Sequence, residues 1–514
     1  MTGRLALPSL LSAAAIACAP ARAVPPASAR QAEAAPAASA GTAAPVAATE
    51  TPSTVDAPFR AAPPAPSAAK PWTPPAIASW SLGGGVRVLL VERHDLPIVA
   101  VRVVSGVGAG DLPRMRPGAV AFMGAMLEQG AGKRSALEVS DAYEALGADH
   151  GAWCDFDTCV VRAKVLASRL EPALDLVADV VLRPTFSEAE IERTRKRWLA
   201  GLEQEKSSPS AMEQNALAAV LYGRAHPYGH AVRGAPADVQ AIKRDEIDAA
   251  WRAAFAPGST TVVVAGDVSP GDLRGQLEAR FGHWRGGAAR RAPVAPAPPP
   301  DERARVALVD VPGAAQSQVL VAAEGAPFGA ADRIAIGVMN AILGGMFSSR
   351  INLDLREAHA FTYGAHSRFS LRHGAGPFAA GGAIFTEHTG EAVRALLAHV
   401  ARIRDEPVTD DELADAKQNA KLALPARFEG VDDVAGALQE LAVYDLPLDE
   451  YAVRQARIDA VTRDDVQRVA RKWLKAPAMR VVVAGDRAKL ERDLSAIGAV
   501  EVLDAYGDRV KTGG

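Results

Sequence analysis

Two histidines lie close enough in the sequence to share a metal ion. They are His226 and His230 in the segment HPYGH, a spacing that could suit two ligands of one metal. Cys154 and Cys159 are the other candidates by residue type. If both cysteines lie on one strand, their odd separation turns them to opposite faces. We therefore expect two small buried residues there, and neither a disulfide nor a metal-binding pair.

A predicted helix over residues 118–130 carries almost no group that could do chemistry. Its sequence, GAVAFMGAMLEQG, is apolar and small on nearly every face, and Glu128 is its first polar side chain. A core helix usually keeps a polar side. Glycine inside a helix also costs about 1 kcal/mol relative to alanine. The composition of this helix therefore needs an explanation.

The overall composition excludes several classes of protein. The chain has 514 residues, which predicts roughly two to four domains. Its net charge is −3 with acidic and basic residues well mixed, so we expect no nucleic-acid partner. Three cysteines are too few for a disulfide scaffold. After residue 20 no stretch approaches the about 18 consecutive apolar residues of a membrane span.

The N-terminus predicts an exported protein. A positive residue and a short apolar core are typical of a signal peptide over residues 1–18. The sequence AIAC, ending at Cys18, is similar to a bacterial lipobox, whereas ARA, ending at Ala23, is an ordinary peptidase site. We expect a periplasmic protein, or a bacterial lipoprotein that contacts the membrane only through a lipid on Cys18.

Two segments are too rich in alanine and proline to bury a core. Residues 19–75 predict a disordered tether, and residues 286–304 predict a Pro-rich linker. Between and after them lie two segments of similar size, 76–285 and 305–505. We expect these to be an N-terminal and a C-terminal domain.

The two predicted domains repeat each other. Residues 240–267 align without a gap with residues 459–486. Both segments run from an Arg-Asp helix start through an amphipathic helix to a strand with the sequence VVVAGD. Two copies of such a step, one in each segment, indicate a duplicated domain and not a solenoid.

Strands and long helices alternate within the first domain. Residues 86–111 predict two strands around a turn, and residues 151–166 predict a third strand. Long helices are expected at 168–182 and 187–206. Hairpins combined with long helices predict an α+β fold. We expect two homologous α/β-layer domains, each with a mostly antiparallel sheet packed with helices.

The order of these elements over residues 78–500 resembles the pitrilysin/insulinase-type zinc peptidases, which include mitochondrial processing peptidase. In that family the first half carries H-x-x-E-H inside a helix similar to GLAHFLEHMLFKG. Two histidines at positions i and i+4 share a helix face and hold one Zn²⁺, and the glutamate activates the metal-bound water. A distal glutamate completes the site.

The resemblance implies a zinc helix without zinc ligands. Ala121 and Ala125 fall where the two histidines belong, and Gly124 falls where the glutamate belongs. The distal glutamate is replaced by Gly201 in IERTRKRWLAGLEQEKSSP. We therefore expect no metal in this chain.

The other candidates for a ligand lie outside that site. The sequence HPYGHAVRG, which contains His226 and His230, resembles a family loop away from the metal, and we expect Glu128 and Glu203 to be surface charges. Residues 151–154 match an edge strand with the sequence NAST, which binds extended peptides in the family. The asparagine of that strand is absent here.

The second half keeps the family pattern more closely. Residues 343–369, LGGMFSSRINLDLREAHAFTYGAHSRF, resemble a segment that supports catalysis in the family. Its two support residues fall on Arg356 and Tyr363. The tyrosine hydroxyl can donate to a developing oxyanion, and the arginine can hold substrate carbonyls.

The residue types alone leave a simpler interpretation open. Arg356 can form a helix-surface ion pair with Glu357, and Tyr363 can be a half-buried strand aromatic. In both interpretations we expect a helix from about Ser349 to Ala358 and then a strand from Phe361.

These observations predict the non-catalytic subunit of a heterodimeric zinc peptidase. A homologous partner would bring Zn²⁺ and the general base, and this chain would bring Arg356 and Tyr363 to an unfolded peptide. Alone, the chain should be inactive. The alternatives are an autonomous zinc peptidase with atypical ligands and a purely structural scaffold subunit.

Overall fold

The computed structural model describes residues 72–287, 291–298 and 305–510. The predicted signal peptide over 1–18, its lipidation site Cys18 and most of the predicted tether over 19–75 lie outside these residues. Parts of the predicted linker over 286–304 lie outside them as well.

The N-terminal half builds one six-stranded sheet. Its strands are β1 (Ala78–Ser81), β2 (Arg87–Glu92), β3 (Ile98–Ser105), β4 (Asp149–Cys154), β5 (Cys159–Leu166) and β6 (Thr260–Gly266). They are arranged in the order β1-β2-β6-β3-β5-β4. Only the β2–β6 pair is parallel. Valines dominate β3 and β6 because β-branched side chains pack well on a pleated surface.

Eight helices accompany the first sheet. They are α1 (Ala119–Met126), α2 (Ala136–Ala145), α3 (Leu170–Leu182), α4 (Glu188–Glu205), α5 (Pro209–Tyr222), α6 (Pro236–Ala241), α7 (Arg244–Ala254) and α8 (Pro270–Phe281). The helices α1, α3, α7 and α8 bury their apolar residues on one face of the sheet. This packing holds α1 deep in the core of the first half.

The C-terminal half builds a second six-stranded sheet. Its strands are β7 (Val306–Asp310), β8 (Gln316–Glu324), β9 (Thr362–Phe369), β10 (Pro377–Phe385), β11 (Arg480–Gly485) and β12 (Val500–Leu503). They are arranged in the order β12-β7-β11-β8-β10-β9. The two pairs that involve β7 are parallel, and the other three are antiparallel.

The helices of the second half follow the same plan. They are α9 (Arg333–Asn340), α10 (Arg350–Asn352), α11 (Thr389–Asp405), α12 (Asp410–Ala426), α13 (Val431–Val443), α14 (Glu450–Asp459), α15 (Arg463–Trp473) and α16 (Arg487–Ser495). Helix α9 continues as a π-helical turn over Ala341–Gly345, and α10 continues as another over Leu353–Ala358. By length and composition the run 333–358 could cross a bilayer, but its apolar window is 50% buried within the protein.

The predicted α+β fold with two homologous, largely antiparallel layers is confirmed. Strands β2, β6, β3, β5 and β4 take the same places in the first sheet as β7, β11, β8, β10 and β9 take in the second. The aligned repeats become α7 with β6 in one half and α15 with β11 in the other.

Two details of the strand prediction were wrong. Strands β2 and β3 do not form a hairpin with each other, because β6 is inserted between them. Residues 151–166 are not one strand but belong to the antiparallel pair β4 and β5.

Each half contributes one helix to the sheet of the other half. Leu217 of α5, in the N-terminal half, packs in one apolar cluster with Leu320 of the second sheet. Leu438 of α13, in the C-terminal half, packs in another cluster with Val263 of the first sheet. Burial of such a side chain contributes about 1.5–3 kcal/mol. The exchanged helices therefore fasten the two halves to each other.

Helix α5 also buries a carboxyl group. Glu213 is only 3% exposed, and its Oε1 atom has no hydrogen-bond partner in the described part of the chain. Burial raises the pKa of Glu213 to about 8, and Gln214 lowers it by less. The folded protein therefore keeps this carboxyl protonated at neutral pH.

We expect Glu213 to make the protein less stable as the pH rises. The unfolded chain releases the proton near pH 4.5, whereas the folded chain holds it up to about pH 8. The protonated Glu213 therefore contributes to the free energy of unfolding fully below pH 4.5, and this contribution is lost as the pH rises towards about 8. The loss is at most about 1.4 kcal/mol per pH unit. Urea unfolding at pH 5 and pH 8 should show that Glu213→Gln flattens this slope. Glu203→Gln, at a side chain that is 67% exposed, should leave the slope unchanged.

Candidate functional site

Helix α1 offers no side chain that can hold a metal at the positions matching the zinc motif. Ala121 is 5% exposed and Ala125 is half-buried, and neither has a donor atom. The helix contacts β4 on one side and α7 on another. The two alanines are therefore small packing residues of a core helix.

Gly124 is required by the close approach of α1 to the end of β4. A Cβ atom built on Gly124 would lie 2.6 Å from the backbone nitrogen of Cys154 and 2.9 Å from the carbonyl carbon of Trp153. These are backbone atoms of a paired strand, which cannot move aside as a flexible side chain does. The position that matches the catalytic glutamate therefore has no room for a side chain.

The position of the distal ligand, Gly201, faces a cation. A Cβ atom on Gly201 would lie 2.9 Å from Nη2 of Arg233. That guanidinium stacks on the Trp198 ring at 4.7 Å from the centroid and forms an ion pair with Glu205. Nothing in the local sequence marks Arg233, because only the fold brings its loop across α4.

The residues present at this site do not fit a zinc ion. Across residues 72–287, 291–298 and 305–510, no group of three or more His, Cys, Asp or Glu side chains is placed to hold a metal. Alanine and glycine occupy the motif positions, and a guanidinium lies beside the distal one. We therefore derive no chemistry from a metal in this half.

His226 and His230 serve the structure of their loop. The Nε2 atom of His226 lies 2.8 Å from the carbonyl oxygen of Ala295, and its Nδ1 accepts from the backbone N–H of Tyr228 at 3.0 Å. His230 pairs through Nδ1 with the carbonyl oxygen of Ala231. Burial lowers the pKa of His230. With both ring nitrogens of His226 engaged, the two histidines do not form a metal-binding pair.

The two glutamates near the motif differ from each other. Glu203 is an exposed partner of Lys206, as expected of a surface charge. Glu128 is only 17% exposed at its side chain and lies 3.0 Å from Nδ1 of His150 on β4. This hydrogen bond raises the pKa of His150, and the Tyr143 ring stacks on the imidazole. The expectation of a surface charge at Glu128 was therefore wrong.

The prediction that Cys154 and Cys159 form no disulfide was also wrong. The two residues are bonded to each other. Cys154 ends β4 and Cys159 begins β5, so they are directly opposed across a turn rather than on one strand. The bond closes the turn 155–158 beside Gly124. Strand β4 is the outermost strand of its sheet, so residues 151–154 do lie at an edge.

Loss of this disulfide should destabilise the protein. The cross-link closes a short loop, since its cysteines are separated by 5 positions. Such a loop contributes about 2 kcal/mol through the restricted unfolded chain. Urea unfolding of the wild type should therefore shift when a dithiol reductant is added. The Cys154→Ala/Cys159→Ala variant is the control and should not respond; a wild type that also fails to respond would show that the bond does not form.

Arg356 and Tyr363 lie on the C-terminal half in the elements that were expected. Ser349 precedes α10, the helical run ends at Ala358, and β9 starts at Thr362. The Tyr363 side chain is 80% exposed on β9, the outermost strand of its sheet.

The neighbours of these two residues leave their polar groups accessible. Arg356 is 39% exposed at its side chain, pairs with Glu357 at 3.3 Å and lies 4.7 Å from the centroid of the exposed Phe347 ring. Tyr363 contacts the Phe385 ring edge to face. Tyr363 is therefore not the half-buried aromatic of the simpler interpretation, whereas the Arg356–Glu357 pair of that interpretation is present.

The structure does not join the two predicted halves of a site. Ala121, Gly124, Ala125 and Gly201 lie in the N-terminal half, and Arg356 and Tyr363 lie in the C-terminal half. Among the described residues, no hydrogen bond, ion pair or ring contact links the two sets. In the described part of the chain, Arg356 and Tyr363 therefore make side-chain contacts with Glu357, Phe347 and Phe385, and not with the positions of the zinc motif.

Two models of one peptidase family match successive parts of the chain. The model described as "Insulinase (Peptidase family M16)" matches residues 87–234. The model described as "Peptidase M16 inactive domain" matches residues 241–420. The boundary between the matches falls before α7, so the second match begins in the last elements of the first half.

Relatives and solved structures agree with these matches. A Mycobacterium bovis protein named "uncharacterized zinc protease" is 27% identical over 81% of this chain and 95% of its own length. The mitochondrial-processing peptidase subunit beta of Mus musculus is 25% identical over 77% of this chain and 82% of its own length. A Pseudomonas fluorescens crystal structure described as a "peptidase M16 inactive domain" has a TM-score of 0.72 at 29% identity, and the match covers 80% of this chain and 98% of that one. The chain belongs to the M16 insulinase/pitrilysin family of peptidases, with an N-terminal domain of the catalytic type and a C-terminal domain of the inactive type.

Proposed function

We propose that this chain is the zinc-less subunit of an extracytoplasmic, two-subunit M16 peptidase. The observation that carries the proposal is the lack of room at Gly124, where a Cβ atom would meet the backbone of β4 at 2.6 Å. A chain with this packing cannot carry the general base of the family at that position. The metal and the base would come from a homologous zinc-bearing partner.

The role that we assign to this chain lies in its C-terminal half. M16 peptidases act on peptides, and the exposed hydroxyl of Tyr363 can donate a hydrogen bond to the oxyanion that develops at a scissile carbonyl. The Arg356 guanidinium can hold neighbouring carbonyls of an extended, unfolded peptide. Solvent reaches both groups. This accessibility is required if the two side chains are to form one wall of an active site whose zinc lies in a partner subunit.

The comparisons support a peptidase assembly without naming this subunit's role. The Mus musculus relative is named as a subunit of mitochondrial-processing peptidase, and the Mycobacterium bovis relative is named a zinc protease. We propose that the assembly lies outside the cytoplasm, on the basis of the predicted signal peptide over 1–18 and of the predicted lipidation site Cys18.

Metal content and activity of the isolated chain test this proposal. The purified mature chain should contain no stoichiometric zinc and should cleave no unfolded peptide. Co-expression with an H-x-x-E-H homologue from the same organism should give a complex that cleaves peptides, and removal of either subunit should abolish cleavage.

Two other outcomes would replace the proposal. Stoichiometric zinc together with cleavage by the isolated chain would identify an autonomous peptidase with atypical ligands. A stable partner that lacks H-x-x-E-H, with no cleavage by the complex, would identify a structural scaffold.

A further inference from the structure

An open cavity of about 400 Å³ with a mixed polar and apolar lining lies where turns of the two halves meet. Residues 155–158, between β4 and β5, and residues 370–372, which follow β9, both line it. The end of α13 closes the cavity with Val443 and Tyr444. The volume is in the range of pockets that bind small ligands.

Most charges around this cavity are balanced by the protein itself. The Asp157 carboxylate accepts from the Tyr444 hydroxyl at 2.8 Å and from the backbone N–H of His373 at 3.2 Å. Glu440 forms ion pairs with Arg427 and Arg454 at 2.6 and 2.9 Å. These carboxylates need no ligand.

Asp155 is the carboxylate that lacks a cationic partner. Its Oδ1 atom accepts from the backbone N–H groups of Asp157 and Thr158 at 2.8 and 2.9 Å, and no ion pair joins it to any described residue. Its side chain is reached by solvent, yet desolvation by the surrounding protein raises its pKa more than the two hydrogen bonds and the nearby Arg372 and His373 together lower it. A bound cation would stabilise its charge.

Arg372 is the matching cation without a carboxylate partner. Its guanidinium lies 4.0 Å from the centroid of the Phe156 ring and 4.6 Å from that of Tyr228. Such stacking fixes the guanidinium plane while leaving its N–H donors free. Among the described residues the Arg372 side chain forms no ion pair, although it is close enough to Asp155 to influence that carboxyl electrostatically.

One cavity therefore holds a carboxylate, Asp155, and a guanidinium, Arg372, that form no ion pair with a described residue. The apolar side chains of Leu371 and Val443 also line this cavity. We propose that this cavity binds a short peptide through its two free termini, with the terminal ammonium on Asp155 and the terminal carboxylate on Arg372. Charge-assisted hydrogen bonds of this kind are the strong ones in proteins. Asp155 belongs to the N-terminal half and Arg372 to the C-terminal half, so the ligand bridges the two.

This site is separate from the wall formed by Arg356 and Tyr363, and it needs neither metal nor partner. Its test therefore stays informative whether or not the peptidase assembly exists. Because a ligand that binds only the folded state raises stability, binding should also raise the unfolding temperature.

Calorimetric titration of the full chain with trialanine tests the proposal. Trialanine should bind, and N-acetylation or C-terminal amidation should each weaken binding about tenfold or more, since each removes one charged contact. Asp155→Asn keeps an oxygen that can accept from the backbone N–H groups of the turn 155–158. In this variant N-acetylation of the peptide should no longer weaken binding, whereas amidation still should. Arg372→Met, which keeps an unbranched stem on the rings, should abolish the effect of amidation only.

The same titrations include a control variant with a substitution outside the cavity. Asp95→Asn, at an exposed surface carboxylate, should bind all three peptides as the wild type does. Absence of binding to the wild type, indifference to blocked termini, or unchanged discrimination in both variants would overturn the proposal. Free alanine that binds as tightly as trialanine would overturn the assignment to a peptide and indicate an amino-acid site.

Discussion

Gly124→Ala should lower the free energy of unfolding by about 1–2 kcal/mol, although alanine is the better helix former. In an exposed helix this change gains about 1 kcal/mol. Here the new methyl group would lie 2.6 Å from the nitrogen of Cys154 and 3.0 Å from its Sγ atom. Overpacking of this kind costs typically about 1–3 kcal/mol. The disulfide and the β4–β5 pairing keep that backbone from yielding, so the loss should exceed the gain.

The matched control is Gly275→Ala in α8. Gly275 also lies inside a helix, but a Cβ atom there would meet nothing within 4 Å. We expect this variant to gain about 0.5–1 kcal/mol in urea unfolding. Equal gains in both variants would show that α1 does not approach β4 as closely as described. Position 124 would then have room for a glutamate side chain.

Tyr363→Phe should lower the turnover of the proposed two-subunit peptidase by about 10²–10³-fold. Loss of one oxyanion donor acts in the transition state and not in the ground state. The KM for an unfolded peptide should therefore change little while kcat falls. The isolated variant should fold as the wild type does, because the side chain is 80% exposed and its Phe385 contact involves only the ring.

Another tyrosine provides the control for this experiment. Tyr506→Phe removes a hydroxyl that donates to the carbonyl oxygen of Leu202, in the other half of the chain. Steady-state kinetics of the complex should show no change in kcat for this control. An unchanged kcat for Tyr363→Phe would remove the oxyanion role. Loss of subunit association instead would make Tyr363 an interface residue.

Local sequence was sufficient wherever neighbouring residues decide the structure. The resemblance of residues 343–369 to a family segment predicts the helix that carries Arg356 and the strand that carries Tyr363, and both are found with nearly the expected bounds. The aligned VVVAGD segments predict the duplicated strands β6 and β11. The identity of Ala121 and Gly124 alone removes ligand atoms from the zinc motif.

Only the tertiary structure decided which distant groups meet. The disulfide depends on a turn that opposes Cys154 and Cys159, and their odd spacing on a single strand was misleading. Strand β6 lies between β2 and β3, and helices α5 and α13 each pack on the sheet of the other half. Local periodicity shows that these elements have an apolar face, but it does not show which element that face packs against. The fold also brings Arg233 next to Gly201, and it brings Arg372 into one cavity with Asp155. In both cases the two residues are distant in the sequence. Residue type determined which side chains stand at the positions of the zinc motif, because each residue brings its own donor atoms or none. Long-range packing determined which other groups surround those positions, because they come from distant parts of the chain.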